Sequence, residues 1–245
     1  MKINVLYILL AAMVGISSCD LRNNTITGNG VKVTDTLGDP SWKVEGIVVN
    51  ALCNVEIYPS ETTLVTVSGD ENLLPMLEFS YSDNILNITQ KEKTSFFTSF
   101  TSELGTVKIY MPMIRQLELA GVGSITTQAP IPGTETVTVS NSGVGSIEAA
   151  FQTKSLIINQ SGSGSISIAG TADHITARQS GVGNINVADI KALTGAFTLT
   201  GAGGIEADIA DSVDASISGI GGITLSRQPV HLNKKVSGIG NIDIR

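Results

Sequence analysis

Apolar and polar positions alternate with a period of two through most of this chain: Ile166 and Ile168, Ile185 and Val187, Ile205, Ala207 and Ile209, Ile223 and Leu225, Ile242 and Ile244. That period belongs to a strand with one face buried. Each run is introduced by Gly-x-Gly-x-Ile, written seven times: at Gly121, Gly143, Gly162, Gly181, Gly201, Gly219 and Gly238, in steps of 22, 19, 19, 20, 18 and 19 residues. A turn-like stretch such as Ala169-Gly170-Thr171 or Ser226-Arg227-Gln228-Pro229 follows. A second alternating run comes next, as at Leu156 and Ile158, Ile175 and Ala177, Phe197 and Leu199, or Val213, Ala215 and Ile217. The glycine density and β-branched content oppose helix, so each repeat holds two to three short strands.

A step of about 19.5 residues has an extended contour of about 64 Å, which suits one turn of a narrow parallel coil. The expected architecture is therefore all-β, a parallel β-helix (solenoid) with an N-terminal β-rich capping part. Stacked about 4.8 Å apart, the isoleucines form an internal ladder roughly 29 Å tall. The glycines line a corner where any Cβ would clash. A competing antiparallel meander of hairpins fits the same turn spacing, but the mid-repeat turns lack the Asn-Gly or Asp-Gly signature of hairpins. A phosphate-cradling role for Gly-x-Gly needs a helix after the glycines, and a strand follows every copy.

Residues 1–18 combine Met1-Lys2, an apolar run from Ile3 to Gly15, and Ile16-Ser17-Ser18 ahead of Cys19. This is read as a secretory signal peptide, too short for a membrane span. The last four residues resemble a bacterial lipobox, which implies cleavage after Ser18 and lipidation of Cys19. Residues 19–40, rich in Asn, Thr and Gly, read as a flexible tether. Residues 41–119 form the β-rich N-terminal part, with one short helical turn allowed between Glu71 and Phe79, and residues 120–245 carry the repeats. The other cysteine, Cys53, lies among Val49, Ala51, Leu52 and Val55 and reads as a core residue.

Candidate chemistry is sparse. A net charge of −7 argues against nucleic acid as a partner. His174 and His231 have no second ligand at zinc spacing, so neither a metal nor a cofactor is expected. Glu206, Asp208, Asp211 and Asp214 read as a solvated acidic face, because calcium-binding coils carry an Asp in every turn. Polysaccharide-cleaving β-helices are the enzymatic alternative. They need paired carboxylates or a basic residue beside an acid, aromatic platforms and long cleft-forming loops, and this chain has 4% aromatics and uniform coils. Thr94 to Ser102 departs from the repeat, and its Phe96, Phe97 and Phe100 either contact a protein or glycan partner or form the loop's own core.

Taken jointly, Glu45-Gly46-Ile47-Val48-Val49, Val55-Glu56-Ile57, Val65-Thr66-Val67-Ser68-Gly69-Asp70-Glu71-Asn72-Leu73-Leu74, Leu86-Asn87-Ile88, Val107-Lys108-Ile109-Tyr110-Met111-Pro112 and Leu117-Glu118-Leu119-Ala120-Gly121-Val122-Gly123-Ser124-Ile125 resemble the GIN domain of putative autotransporter-adhesin heads. The resemblance spans residues 44 to 245. It implies a right-handed single-stranded β-helix and an adhesin-type role in a secreted or lipid-anchored protein of Bacteroidetes-type bacteria, and it carries no catalytic or binding residues. The reading is a non-catalytic lipoprotein of the cell envelope, anchored in the outer membrane and facing the periplasm or the outside. It serves as an adhesion module or scaffold, as a monomer or weak dimer. Changing Cys19 to Ser is expected to abolish incorporation of labelled fatty acid and to release the protein from membranes; retention in the membrane fraction, with no label in the parent either, would contradict the anchor.

Overall fold

The structure is a computed structural model that describes residues 26–39, 41–91 and 105–245. Its strands, in chain order, are β1 (Lys32–Leu37), β2 (Gly46–Asn50), β3 (Asn54–Pro59), β4 (Leu64–Asp70), β5 (Leu77–Ser82), β6 (Ile85–Gln90), β7 (Thr106–Met111), β8 (Ile114–Leu119), β9 (Val122–Thr127) and β10 (Ile131–Asn141). They continue with β11 (Val144–Gln152), β12 (Ser155–Gln160), β13 (Ser163–Thr171), β14 (His174–Gln179), β15 (Val182–Leu199), β16 (Ala202–Ile217), β17 (Ile220–Leu225), β18 (His231–Val236) and β19 (Ile239–Ile244). Among the described residues there is no α-helix, and the one helical turn is a 3₁₀ turn at Leu74–Met76, inside the stretch that allowed one. The repeats wind into a parallel solenoid of about seven turns.

The motif glycines explain why the chain coils rather than forming hairpins. Gly183 has φ +142°, and a Cβ there would run into the carbonyl of Gly164, its counterpart one coil earlier. Backbone rests directly on backbone at this corner, which only glycine permits. Ser180, Thr200 and Ser237 precede the corner glycines, and their hydroxyls donate to the carbonyls of Gln160, Gln179 and Ile217 one coil back, at 3.5, 3.4 and 3.4 Å.

Past the corner, the isoleucines stack in register: Ile125, Ile147, Ile166, Ile185, Ile205, Ile223 and Ile242. Their exposure runs from 0% to 4%. The ladder continues into the N-terminal part, where Val55 lies opposite Ile125, Val107 opposite Val55 and Val67 opposite Val107. One long sheet thus runs β1, β4, β7, β3, β9, β11, β13, β15, β16, β17, β19. A second runs β5, β6, β2, β8, β10, β12, β14, β15, β16, β18. The long strands β15 and β16 bend and serve both, and a short third side passes through Ile131, Phe151, Gly170 and Ile190.

The order of coils is not the order of the chain. β2 lies between β6 and β8, and β3 between β7 and β9, so the first coil of the sequence is intercalated between two that follow it. Only Pro112 and Met113 separate β7 from β8, and across them the chain passes from one side of the β2–β3 coil to the other. The N-terminal part forms the other end of the solenoid. β1 and β5 pair antiparallel on the outermost strands, and Leu73, Leu74 and Leu77 are buried around the 3₁₀ turn. The tether expected over residues 19–40 is corrected for Lys32–Leu37. This stretch pairs along its whole length with β4, and Lys32 Nζ lies 3.1 Å from the buried carboxylate of Asp70.

A column of amides interrupts the apolar interior of the second sheet. Asn141, Gln160 and Gln179 stack in register, all at most 1% exposed, and the column then becomes Leu199 and Ile217. The side chain of Gln179 donates to the carbonyls of Gly181, Gly183 and Ala202 at 3.2, 3.0 and 3.1 Å. The amides thus satisfy corner carbonyls, which would be costly if left buried without a donor.

The ladder predicts how substitutions divide. Ile185 to Asp puts an uncompensated carboxylate between Ile166 and Ile205 and is expected to cost several kcal/mol. Asn184 to Asp, on the outward side, is expected to cost less than about 1 kcal/mol. Equal melting temperatures for the two variants would mean that inside and outside have been exchanged.

Candidate interaction surface

The alternation that builds the core also builds the outside. On the first sheet the outward positions form two columns in register. One runs Asn54, Ser124, Ser146, Ser165, Asn184, Gly204, Gly222, Asn241, and the other Glu56, Thr126, Glu148, Ser167, Asn186, Glu206, Thr224, Asp243. Asn54 ties the upper end together, its Oδ1 accepting from the Ser124 amide at 3.0 Å and the Ser124 hydroxyl at 2.9 Å. The face offers hydroxyls, amides and carboxylates, with Arg245 near Glu206 at 3.9 Å. Its chemistry is that of multiple hydrogen bonds to a polar partner.

Gly204 and Gly222 interrupt the first column for a reason unrelated to the corner. A Cβ at Gly222 would lie 3.5 Å from the Asn241 carbonyl, and one at Gly204 would meet the Asn184 side chain at 3.3 Å and the Gly222 carbonyl at 3.6 Å. Neither glycine is required by the backbone, and together they leave a shallow notch of about 260 Å³ lined by Asn184, Asn186, Glu206 and Thr224.

The residue between the two motif glycines forms a third column: Val122, Val144, Ser163, Val182, Ala202, Ile220, Ile239. Four of these are largely exposed, Val144 at 54%, Val182 at 61%, Ile220 at 61% and Ile239 at 74%. A ridge of mainly β-branched apolar residues, interrupted at Ser163 and Ala202, therefore runs along the corner beside the polar columns. Apolar stripes rimmed by polar groups are the usual composition of a contact surface. Sequence reasoning passed over this ridge although its signal was readable, because the motif was read for its glycines and isoleucine alone.

The aromatic residues described lie mostly in the N-terminal part. Tyr58 stacks on Tyr110 with centroids 4.9 Å apart, and Trp42 on Tyr81 at 4.8 Å. The Tyr58 hydroxyl donates to Glu56 at 2.8 Å, which pushes its pKa up. The same carboxylate, 3.4 Å from Lys108, raises the pKa of that lysine. Trp42 borders a cleft of about 410 Å³ with Leu37, Leu64, Val65, Thr62 and Thr63.

Cys19, Phe96, Phe97 and Phe100 lie outside the described residues. Cys53 is a core residue at 0% exposure. His174 and His231 stand on different coils, and Nδ1 of His174 meets the Thr194 hydroxyl at 2.6 Å. The acidic residues of the fifth repeat, Glu206, Asp208, Asp211 and Asp214, do not gather into one site. Asp208 is held by the Arg227 guanidinium through Nε and, at 2.6 Å, Nη2, which lowers its pKa, while Asp214 accepts from Asn233 at 3.1 Å. Among the described residues, no three of His, Cys, Asp and Glu gather as a metal site, and no helix is long and apolar enough to cross a membrane.

Comparison with known proteins agrees with this architecture. The family described as "Putative auto-transporter adhesin, head GIN domain" matches residues 44–229. No curated protein matches. The crystal structure of a putative adhesin from Bacteroides fragilis NCTC 9343 superposes with a TM-score of 0.83 at 20% identity, covering 90% of this chain and 100% of that one. A putative adhesin from Parabacteroides distasonis ATCC 8503 gives a TM-score of 0.65 at 20% identity, with 90% and 100% covered. A putative lipid binding protein from the same strain gives 0.62 at 22% identity, with 90% and 99% covered. At such identities the likeness shows the fold.

Proposed function

The chain belongs to the GIN-domain family of putative auto-transporter adhesin heads, and from that membership we propose that it is a non-catalytic lipoprotein of the cell envelope that works as an adhesion or interaction module. The observation that carries the reading is the surface itself. Ridge and polar columns repeat along consecutive coils and present extended contact area, and two of the four acidic residues in the one acidic coil, Asp208 and Asp214, are tied to Arg227 and Asn233. Contact area of this kind suits many modest interactions with a protein or glycan rather than one deep pocket. The leader and Cys19 would tether the N-terminal end to the outer membrane, and stable anchoring follows from several acyl chains on one cysteine.

The test uses cells that make the protein. Deleting the gene is expected to lower attachment to protein- or glycan-coated surfaces, and restoring the full chain to recover it. Purified chain incubated with a panel of polysaccharides is expected to leave their length unchanged. Unaltered attachment on every surface contradicts the adhesion reading, and shortening of any polysaccharide would bring back the lyase-like alternative.

A further inference from the structure

The two ends of the solenoid are built differently. The N-terminal end finishes in antiparallel strands, β1 on β4 and β5 on β6, with buried leucines beside them, whereas the C-terminal end finishes in parallel coil strands, β18 paired only with β16 and β19 only with β17 among the described strands. Each of these last strands has one edge facing away from the fold. Edges of this kind are templates for pairing with another chain.

One residue stands out at this edge. In the second sheet a core column runs Val139, Ile158, Ala177, Phe197, Ala215, each at most 3% exposed, and the position after Ala215 is Lys234. A lysine thus takes the inward register of the last coil. Its Nζ donates to the carbonyl of Ile242 at 2.9 Å.

The direction of that carbonyl follows from the coil before it. The counterpart of Ile242 is Ile223, and the carbonyls of Gly219 and Leu225 accept from Ile239 and Arg245 of the last coil, each at 2.9 Å. Carbonyls two residues apart in a strand point to the same side, so the Ile223 carbonyl points towards the last coil, and that of Ile242 towards the place a further coil would occupy. The lysine ammonium therefore occupies an acceptor that an added strand would need. Its aliphatic stem starts at the open end of the core, with the charge carried out to the rim.

We propose that Lys234 is an end stop that keeps β18 and β19 from pairing with the same strands of a second copy of this chain. The excluded partner is a second copy because the two open edges are self-complementary across a two-fold axis, which brings C-terminal end to C-terminal end. The assembly that Lys234 prevents therefore joins two copies through their last coils. Burying the ammonium in such an interface would leave an unpaired charge between two apolar core ends, and this opposes association.

Sedimentation of the membrane-released Cys19→Ser chain, across a wide concentration range, tests the proposal. The chain with Lys234 intact is expected to stay monomeric, and Lys234→Val to form dimers at least tenfold more tightly. Lys235→Val, which removes an equal charge from the outward side of the same strand, is expected to behave like the parent. If Lys234→Val does not fold, Lys234→Met supplies the same comparison with a side chain of similar length and no donor. Identical sedimentation of the parent and a folded Lys234 variant, or equal association of Lys235→Val, overturns the proposal; so does a parent that is itself a tight oligomer.

Discussion

Everything in this solenoid depends on how closely backbone approaches backbone at the Gly-x-Gly corner. The corner glycines of one coil rest on the carbonyls of the previous one, as Gly183 rests on Gly164, and a Cβ at either motif glycine would open the contact. This approach sets the register. With the coils flush there, Ile166 falls on Ile185 and the ladder fills the interior, Ser165 falls on Asn184 and the polar column forms, and Ser163 falls on Val182 in the ridge. Core, face and ridge are three readings of one alignment.

The sequence made the repeating part legible because its determinants are local. A glycine pair sets the corner, an isoleucine two residues on sets the inside, and alternation does the rest. What remained hidden depends on which strand pairs with which. The runs Ile47 to Val49 and Val55 to Ile57 alternate like any other coil, and nothing within them says that β2 and β3 are inserted between β6–β7 and β8–β9. Likewise Lys32–Leu37 has the polar composition of a tether, and what makes it a strand is long-range: the β4 edge and the buried Asp70 opposite Lys32. Of the candidate surface, the outward columns were implicit in the alternation. The notch was not, because Gly204 and Gly222 look in sequence like further motif glycines and differ only in having free space around them.

The surface and the ends fit one picture of use. An anchor at Cys19 would hold the N-terminal end at the membrane, leaving the repeats and their C-terminal coil farthest from it. Contact area then grows with each coil, and the proposed end stop would keep copies apart there: the terminal coil carries Lys234 where its neighbours carry Ala215 and Phe197. Edge protection by an inward charge is a recurrent solution for sheets that end in water.

The account rests on the corner, and a pair of glycine substitutions tests it most directly. Unfolding of Gly183→Ala and Gly222→Ala should be compared with the parent by denaturant titration. At Gly183 the new methyl meets backbone and φ is +142°, so a loss of about 3 kcal/mol or more is expected; at Gly222 the nearest atom is 3.5 Å away, and stability should hold or rise by about 0.5 kcal/mol. Equal stabilities for the two variants, or a larger loss at Gly222, would contradict the claim that close backbone stacking at the corner sets this fold.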